Sequence, residues 1–190
     1  MSSQPGNTAR DAAASAATGP TAGTARDTAA STAATYNAAA FESAVQAARK
    51  SLSEGGIPIG AALARGSQVI AAGHNERVQH GDPIAHGEMS ALRAAGRQRS
   101  YRDTTLYTTL APCAMCTGTI IQFKIPRVVV GEARTFPGEF ELLRSRGVEV
   151  IVLDDQRCVE MMTGFQRDHP ELWAEDIAED SNLGTDGRGP

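Results

Sequence analysis

TTLYTTLAPCAMCTGTIIQFKIPRVVV, residues 104–130, decides the fold. Thr104 to Leu110 mixes β-branched, aromatic and aliphatic side chains, the composition of a strand. Ala111-Pro112 interrupts it, and proline suits the first turn of a helix because the N–H it lacks would have no partner there. A helix is expected over about Cys113 to Phe123, and Val128-Val129-Val130 then reads as a buried-type strand. Strand, helix and strand follow one another directly.

The same grammar extends in both directions. Upstream, Phe41, Val45, Ala48 and Leu52 recur at helical spacing, and Gly55-Gly56 ends that helix. Ile57 to Leu63 and Gln68 to Ala72 read as two strands joined by a turn at Arg65-Gly66-Ser67. Asp82-Pro83 marks a loop, and His86 to Ala95 has the composition of a helix closed by Gly96. Downstream, a helical Phe140 to Arg146 precedes a strand over Val148 to Leu153. A long helical region follows from Asp155 to about Ile177, broken at Pro170. A hairpin followed by strands alternating with helices implies an α/β domain, a three-layer α/β/α sandwich around a mixed sheet of about five strands.

The ends read differently. Residues 1–36 are almost entirely Ala, Thr, Ser and Gly, with Thr8-Ala9-Arg10-Asp11 recurring as Thr24-Ala25-Arg26-Asp27. Side chains this small cannot offset chain entropy by burial, so a disordered tail is expected there, with the folded domain at 37–180 and a flexible tail at 181–190. The chain of 190 residues carries a net charge of −4 and 41% hydrophobic residues. The N-terminal segment holds two basic and two acidic residues, so it hides no basic arm. Nucleic-acid backbones demand a clustered basic excess, which is not visible, so a small-molecule partner is favoured. No run approaches the roughly 20 apolar residues of a membrane span, and no secretory signal opens the chain, so a cytoplasmic setting is expected. Three cysteines, two of them in Cys-x-x-Cys, read as a metal or redox site rather than a disulfide framework.

His86-Gly87-Glu88 opens one expected helix and Pro112-Cys113-Ala114-Met115-Cys116 opens another, both at one edge of the sheet. Cys113 and Cys116, at i and i+3, share a helix face, and a helix N-terminus favours thiolates. One imidazole and two thiolates suit Zn²⁺ with the fourth position left for water, as at catalytic rather than structural sites. Glu88 is close enough to move that water's protons without binding the ion. A redox reading of Cys-x-x-Cys would leave His86 and Glu88 without a task. The two motifs in this order form the signature of zinc deaminases acting on nucleobases.

Further stretches carry a resemblance. Gly55-Gly56-Ile57-Pro58-Ile59-Gly60, Gly73-His74-Asn75, Asp103 to Leu110, Pro112 to Gly118, Ile125-Pro126-Arg127, Val129 to Glu132, Asp154 to Cys158 and Trp173-Ala174-Glu175-Asp176-Ile177 resemble the yeast-type cytosine deaminases of the cytidine-deaminase-like superfamily. That resemblance implies a homodimer with one Zn²⁺ per subunit, converting free cytosine to uracil and ammonia. His86, Cys113 and Cys116 would hold the metal and Glu88 would shuttle protons. Asn75 and the Gly87 backbone would hold the ring edge. Ile59, Phe136 and Trp173 would wall the base, and Asp176 would bind the departing amine. Without the resemblance, Asn75 reads as a turn residue, Phe136 and Trp173 as core, and Asp176 as a surface charge. Cys158 reads as a buried small residue, and His74, His80 and His169 lack ligand spacing. Ala111 stands where the fungal enzymes carry Ser, and Asp82 to His86 is closer to the tRNA-deaminase pattern. A tRNA adenosine deaminase, a guanine or nucleoside deaminase, and a zinc-stabilised binding module are the alternatives.

Overall fold

A computed structural model describes residues 36–179; the tails expected at 1–36 and 181–190 lie outside them, except for Tyr36. Five strands form one sheet in the order β2-β1-β3-β4-β5: β1 Gly60–Arg65, β2 Gln68–His74, β3 Thr105–Leu110, β4 Arg127–Glu132 and β5 Glu149–Val152. β1 runs antiparallel to both β2 and β3, while β3, β4 and β5 run parallel. The sheet is mixed, as the hairpin followed by strand-helix alternation requires.

Strand alternation sends neighbouring side chains to opposite faces. Leu63, Leu106, Val128 and Val130 meet Leu92, Ile120 and Leu143 on one face. These come from α3 (Gly87–Ala95), α4 (Ala114–Phe123) and α5 (Phe140–Ser145). Ala62, Ala64, Tyr107 and Val129 meet Phe41, Ala44, Val45 and Cys158 on the other. There the cover is α1 (Ala38–Ser53) and α6 (Gln156–Asp168). Two helical layers enclose the sheet, which is the three-layer sandwich expected. Tyr36 stacks edge-on against Phe41 at 6.3 Å. Cys158 is buried, as expected, and burial pushes its thiol up to about 12.

Two local differences have physical causes. The strand expected from Ile57 starts only at Gly60. Pro58 has no N–H for a ladder, Ile59 N–H turns back to the Ile57 carbonyl, and Gly60 N–H donates to Thr109 Oγ1. Leu52 is 42% exposed, because the inward place in the last turn of α1 goes to Ser51, whose hydroxyl donates to the Asn75 carbonyl at 2.8 Å. A short α2 (Arg77–His80) lies between β2 and the Asp82-Pro83 loop, in a stretch to which the sequence reading assigned no element. The helical region after Asp155 divides at His169 into α6 and α7 (Pro170–Asp176), with Pro170 opening the second.

Candidate active site

Because β1 is antiparallel to β3, the start of β1 and the ends of β2, β3 and β4 share one sheet edge, where open α/β sheets bind ligands. His86 is the N-cap residue of α3 and Cys113 that of α4, with Cys116 one turn further on. His86 Nδ1 lies 3.5 Å from Cys113 Sγ and 3.8 Å from Cys116 Sγ. All three donor atoms lie within 4.8 Å of one another. A tetrahedral zinc with ordinary Zn–N and Zn–S bonds separates N from S by about 3.6 Å. The donor set and its spacing therefore fit zinc.

The other imidazole nitrogen, Nε2, faces Asp176 Oδ1 at 3.5 Å. A carboxylate in that position fixes the ring so that Nδ1 turns toward the thiolates. Asp176 also accepts a hydrogen bond from Asn75 Nδ2 at 3.1 Å, and burial raises its carboxyl above the usual range. Glu88 lies in the first turn of α3 and is 3% exposed. Its Oε1 accepts from Thr108 Oγ1 at 3.3 Å, and Cys116 Sγ approaches Oε2 at 3.4 Å. Burial, reinforced by the Cys113 sulfur, raises its carboxyl pKa, which suits a group that must both take and give a proton.

The metal-binding atoms are poised for ligation. Hydrogen bonding from Cys116 outweighs burial and, with the His86 ring, pulls the Cys113 thiol down to about 4. Cys116, as donor in that bond and buried, is held well above the ordinary thiol value. Burial alone would lower the His86 imidazole, but its bond to Cys113 and the charge of Asp176 override it and raise it to about 9.

A narrow, partly open cleft abuts this cluster. Its walls are Ile59 before β1, Leu110 and Ala111 at the end of β3, Phe136, and Trp173, Asp176 and Ile177 from α7 and its C-cap, with His86, Glu88 and Cys113 at its base. Phe136 and Trp173 meet edge-on, their rings 5.8 Å apart at 85°. The free space in it, about 20 Å³, lies far below the roughly 300–1,000 Å³ typical of sites for drug-sized ligands. Larger openings near Lys50 and Arg93 and near Lys124 and Arg146 have none of the metal-binding residues on their walls.

Residues 35–132 match the family described as the cytidine and deoxycytidylate deaminase zinc-binding region. The chain belongs to this family. A cytosine deaminase of Candida albicans is 50% identical over 139 residues, covering 72% of this chain and 93% of the relative. A tRNA-specific adenosine deaminase of Streptococcus pyogenes is 39% identical over 93 residues, covering 47% and 58% respectively. A solved structure from a study of A-to-I editing by tRNA:A34 deaminases superimposes with a TM-score of 0.59 at 28% identity. It covers 64% of this chain and 97% of its own. The cofactor of this deaminase is zinc, and His86, Cys113 and Cys116 form the one cluster among the described residues with a zinc-like donor set.

Most of the residues singled out in the sequence converge on the deaminase cavity. Ile59, His86, Glu88, Cys113, Phe136, Trp173 and Asp176 all face it. Asn75 and Gly87 sit just behind the walls. Asn75 is fully buried, with its Oδ1 accepting from Arg77 N–H at 3.0 Å, and Gly87 packs on the Ile59 backbone. Sequence reading missed Thr108, Leu110 and Ile177. Strand parity could have found Thr108, since it shares the Leu106 face of β3 and so points toward α3. It also missed Arg77, which reaches across to Glu175 of α7 at 3.0 Å and tethers the helix that closes the cavity.

Proposed function

We propose that this deaminase converts free cytosine to uracil and ammonia, with His86, Cys113 and Cys116 as zinc ligands and Glu88 as the proton shuttle. The observation that carries the reading is the lining of the cleft: Ile59, Phe136, Trp173 and Asp176 stand directly over His86, Glu88 and Cys113, an apolar and aromatic wall with one carboxylate that suits a small planar ring beside the metal-binding residues. The Candida albicans cytosine deaminase supports it through identity across 93% of that protein's length. The S. pyogenes tRNA deaminase matches over a shorter stretch, and the net charge of −4 offers little to an RNA backbone.

When bound, zinc supplies the Lewis acidity that brings the pKa of water to about 7. Glu88 takes the proton released from the attacking water and hands it to N3 of the ring as C4 becomes tetrahedral. It then delivers a proton to the amine as the C4–N bond breaks. Burial raises its carboxyl pKa, the direction that favours a group holding a proton between the two transfers. Phe136 and Trp173 flank the ring and exclude water, while Ile59 closes another side. The Asn75 amide and the Gly87 N–H, free at a helix start, are assigned to the N1 and O2 edge. Asp176 is assigned to the departing amine, while its second role is to orient His86. The three cysteines carry no disulfide, which supports a reducing, cytoplasmic setting. Exposed Ile84 and Phe123, flanking α3 and α4, support a homodimer that covers them.

The test is purified, zinc-loaded protein offered cytosine, cytidine, guanine and an adenosine-containing tRNA anticodon stem. Cytosine should be the preferred substrate; turnover of cytidine or the stem without cytosine would overturn the assignment. Sedimentation of the same preparation should give the mass of two chains.

A further inference from the structure

Glu132, the last residue of β4, is fully buried yet takes no part in the chemistry above. A carboxylate occupies such a place only when its oxygens are satisfied. Here both are directed at the turn that follows. Oε2 accepts the backbone N–H groups of Arg134 at 2.6 Å and Thr135 at 3.0 Å, and Oε1 accepts the Thr135 hydroxyl. The Glu132 backbone carbonyl accepts the N–H of Ala111, itself a cavity residue, at 3.0 Å. Gln166 of α6 donates to the Thr135 carbonyl at 3.3 Å.

The next residue is Phe136. Beyond it, Gly138 lies against Ala111 and Pro112, and Glu139 N–H donates to the Pro112 carbonyl at 3.1 Å. Residues 132–139 thus form a strap around Ala111-Pro112, tied at both ends, with Phe136 between the ties. The Arg134 side chain leaves the strap outward to pair with Asp154. The exit from β4 could have been closed by an apolar side chain, but an apolar side chain cannot accept two successive N–H groups.

We propose that Glu132 is a positioning residue for the base-binding wall: its buried carboxylate fixes the 132–135 turn and so holds Phe136 edge-on to Trp173 across the cavity. The catalytic consequence rests on the cytosine reading; the structural one does not. Trp173 is the only tryptophan in the chain, so its fluorescence reports the Phe136 contact without any substrate.

The experiment compares Glu132→Ala, Glu132→Gln, Phe136→Ala and the double variant Glu132→Ala/Phe136→Ala in the full chain. Glu132→Ala should raise KM for cytosine by about tenfold, the scale of a lost aromatic contact, while kcat changes less than about threefold. Zinc should stay at one per chain, and Trp173 emission should move toward that of Phe136→Ala. Glu132→Gln should restore both readouts, because its amide oxygen can accept the two N–H groups and its NH₂ can donate to the Thr135 hydroxyl oxygen. In the Phe136→Ala background, Glu132→Ala should add little. Glu132→Met, which fills the volume without an acceptor, serves if the alanine variant does not fold. Wild-type KM and emission in the Ala or Met variant, or effects that simply add to those of Phe136→Ala, would overturn the proposal. So would a glutamine variant as impaired as the alanine one. A wild-type protein inactive on cytosine would sink the substrate assignment and leave the fluorescence arm to decide on Glu132.

Discussion

Gly138→Ala is a perturbation whose cost can be worked from the strap around the cavity. Gly138 has φ +61°, a region that costs an L side chain about 1–2 kcal/mol. An added methyl would also sit 2.7 Å from Ala111 Cβ and 2.9 Å from the Pro112 carbonyl oxygen. Neither neighbour is a flexible side-chain end, so the backbone itself must shift, an overpacking cost of about 1–3 kcal/mol. The sum is about 2–5 kcal/mol. Gly147 is the control, since its φ is +79° but a methyl there meets nothing within 4 Å. Gly147→Ala should therefore cost only the dihedral part, about 1–2 kcal/mol. Urea unfolding of both variants at one fixed, saturating zinc concentration measures the difference, with equal m-values as the check. Gly138→Ala should be the less stable by at least about 1 kcal/mol, and because Pro112 precedes Cys113 it should also weaken zinc binding. Equal destabilisation of the two variants would refute the close approach on which the strap depends.

Removing the tether of α7 by Arg77→Ala should raise KM for cytosine by no more than about fivefold, since Glu175 is largely exposed and such ion pairs contribute about 1 kcal/mol or less. Steady-state kinetics of the variant would show it; an unchanged KM would mean that the tether does not hold the lid. Zinc binding should release protons. Near pH 7 the metal-free site keeps Cys113 as thiolate while His86 and Cys116 hold theirs, so about two protons leave per ion. Affinity should therefore rise with pH, more steeply below about 9, where His86 and Cys116 both lose a proton, than above it, where only Cys116 does, and calorimetry in buffers of different ionisation enthalpy counts the protons. At the start of α6, hydrogen bonds and charge from Arg157 lower the Asp155 carboxyl. A depressed folded-state value means that this stability is present above the unfolded carboxyl pKa near ~3.9 and is lost as pH falls through the folded one. Asp155→Asn, which preserves the N-cap acceptor but not the charge, should flatten the acid limb of a stability–pH curve by lowering the neutral plateau, by about 1 kcal/mol or less for so exposed a pair, while leaving stability at low pH unchanged.

Much of this arrangement is legible in residues 104–130, because a strand, a proline and a cysteine-bearing helix start are local signals. The Leu106/Tyr107 alternation places one side chain on each helical layer, and the cap positions of His86 and Cys113 follow from the helix starts. What the sequence conceals is long-range. Nothing local to Asp176 announces that it faces His86 Nε2, since 90 positions separate them. Trp173 and Phe136 look like core residues because they are apolar, and they do pack together, but the cavity beside them arises only when α7 folds back. Glu132 follows four apolar or small residues and looks like a strand end. Its burial becomes intelligible only with the turn that its oxygens hold. The late start of β1 had a visible cause in Pro58, which the run of hydrophobic neighbours obscured.

The role proposed for Glu88 is to move protons at a zinc site to which it is not itself a ligand. Glu88→Gln keeps the side-chain volume and the contact with Thr108 while removing the titrating group. Metal analysis and steady-state turnover of cytosine on the same preparation test it together. One zinc per chain is expected, as in the wild type, with the rate reduced by about 10²–10⁴-fold. Full activity in Glu88→Gln would contradict the shuttle role, and loss of the zinc would contradict its place outside the metal's coordination.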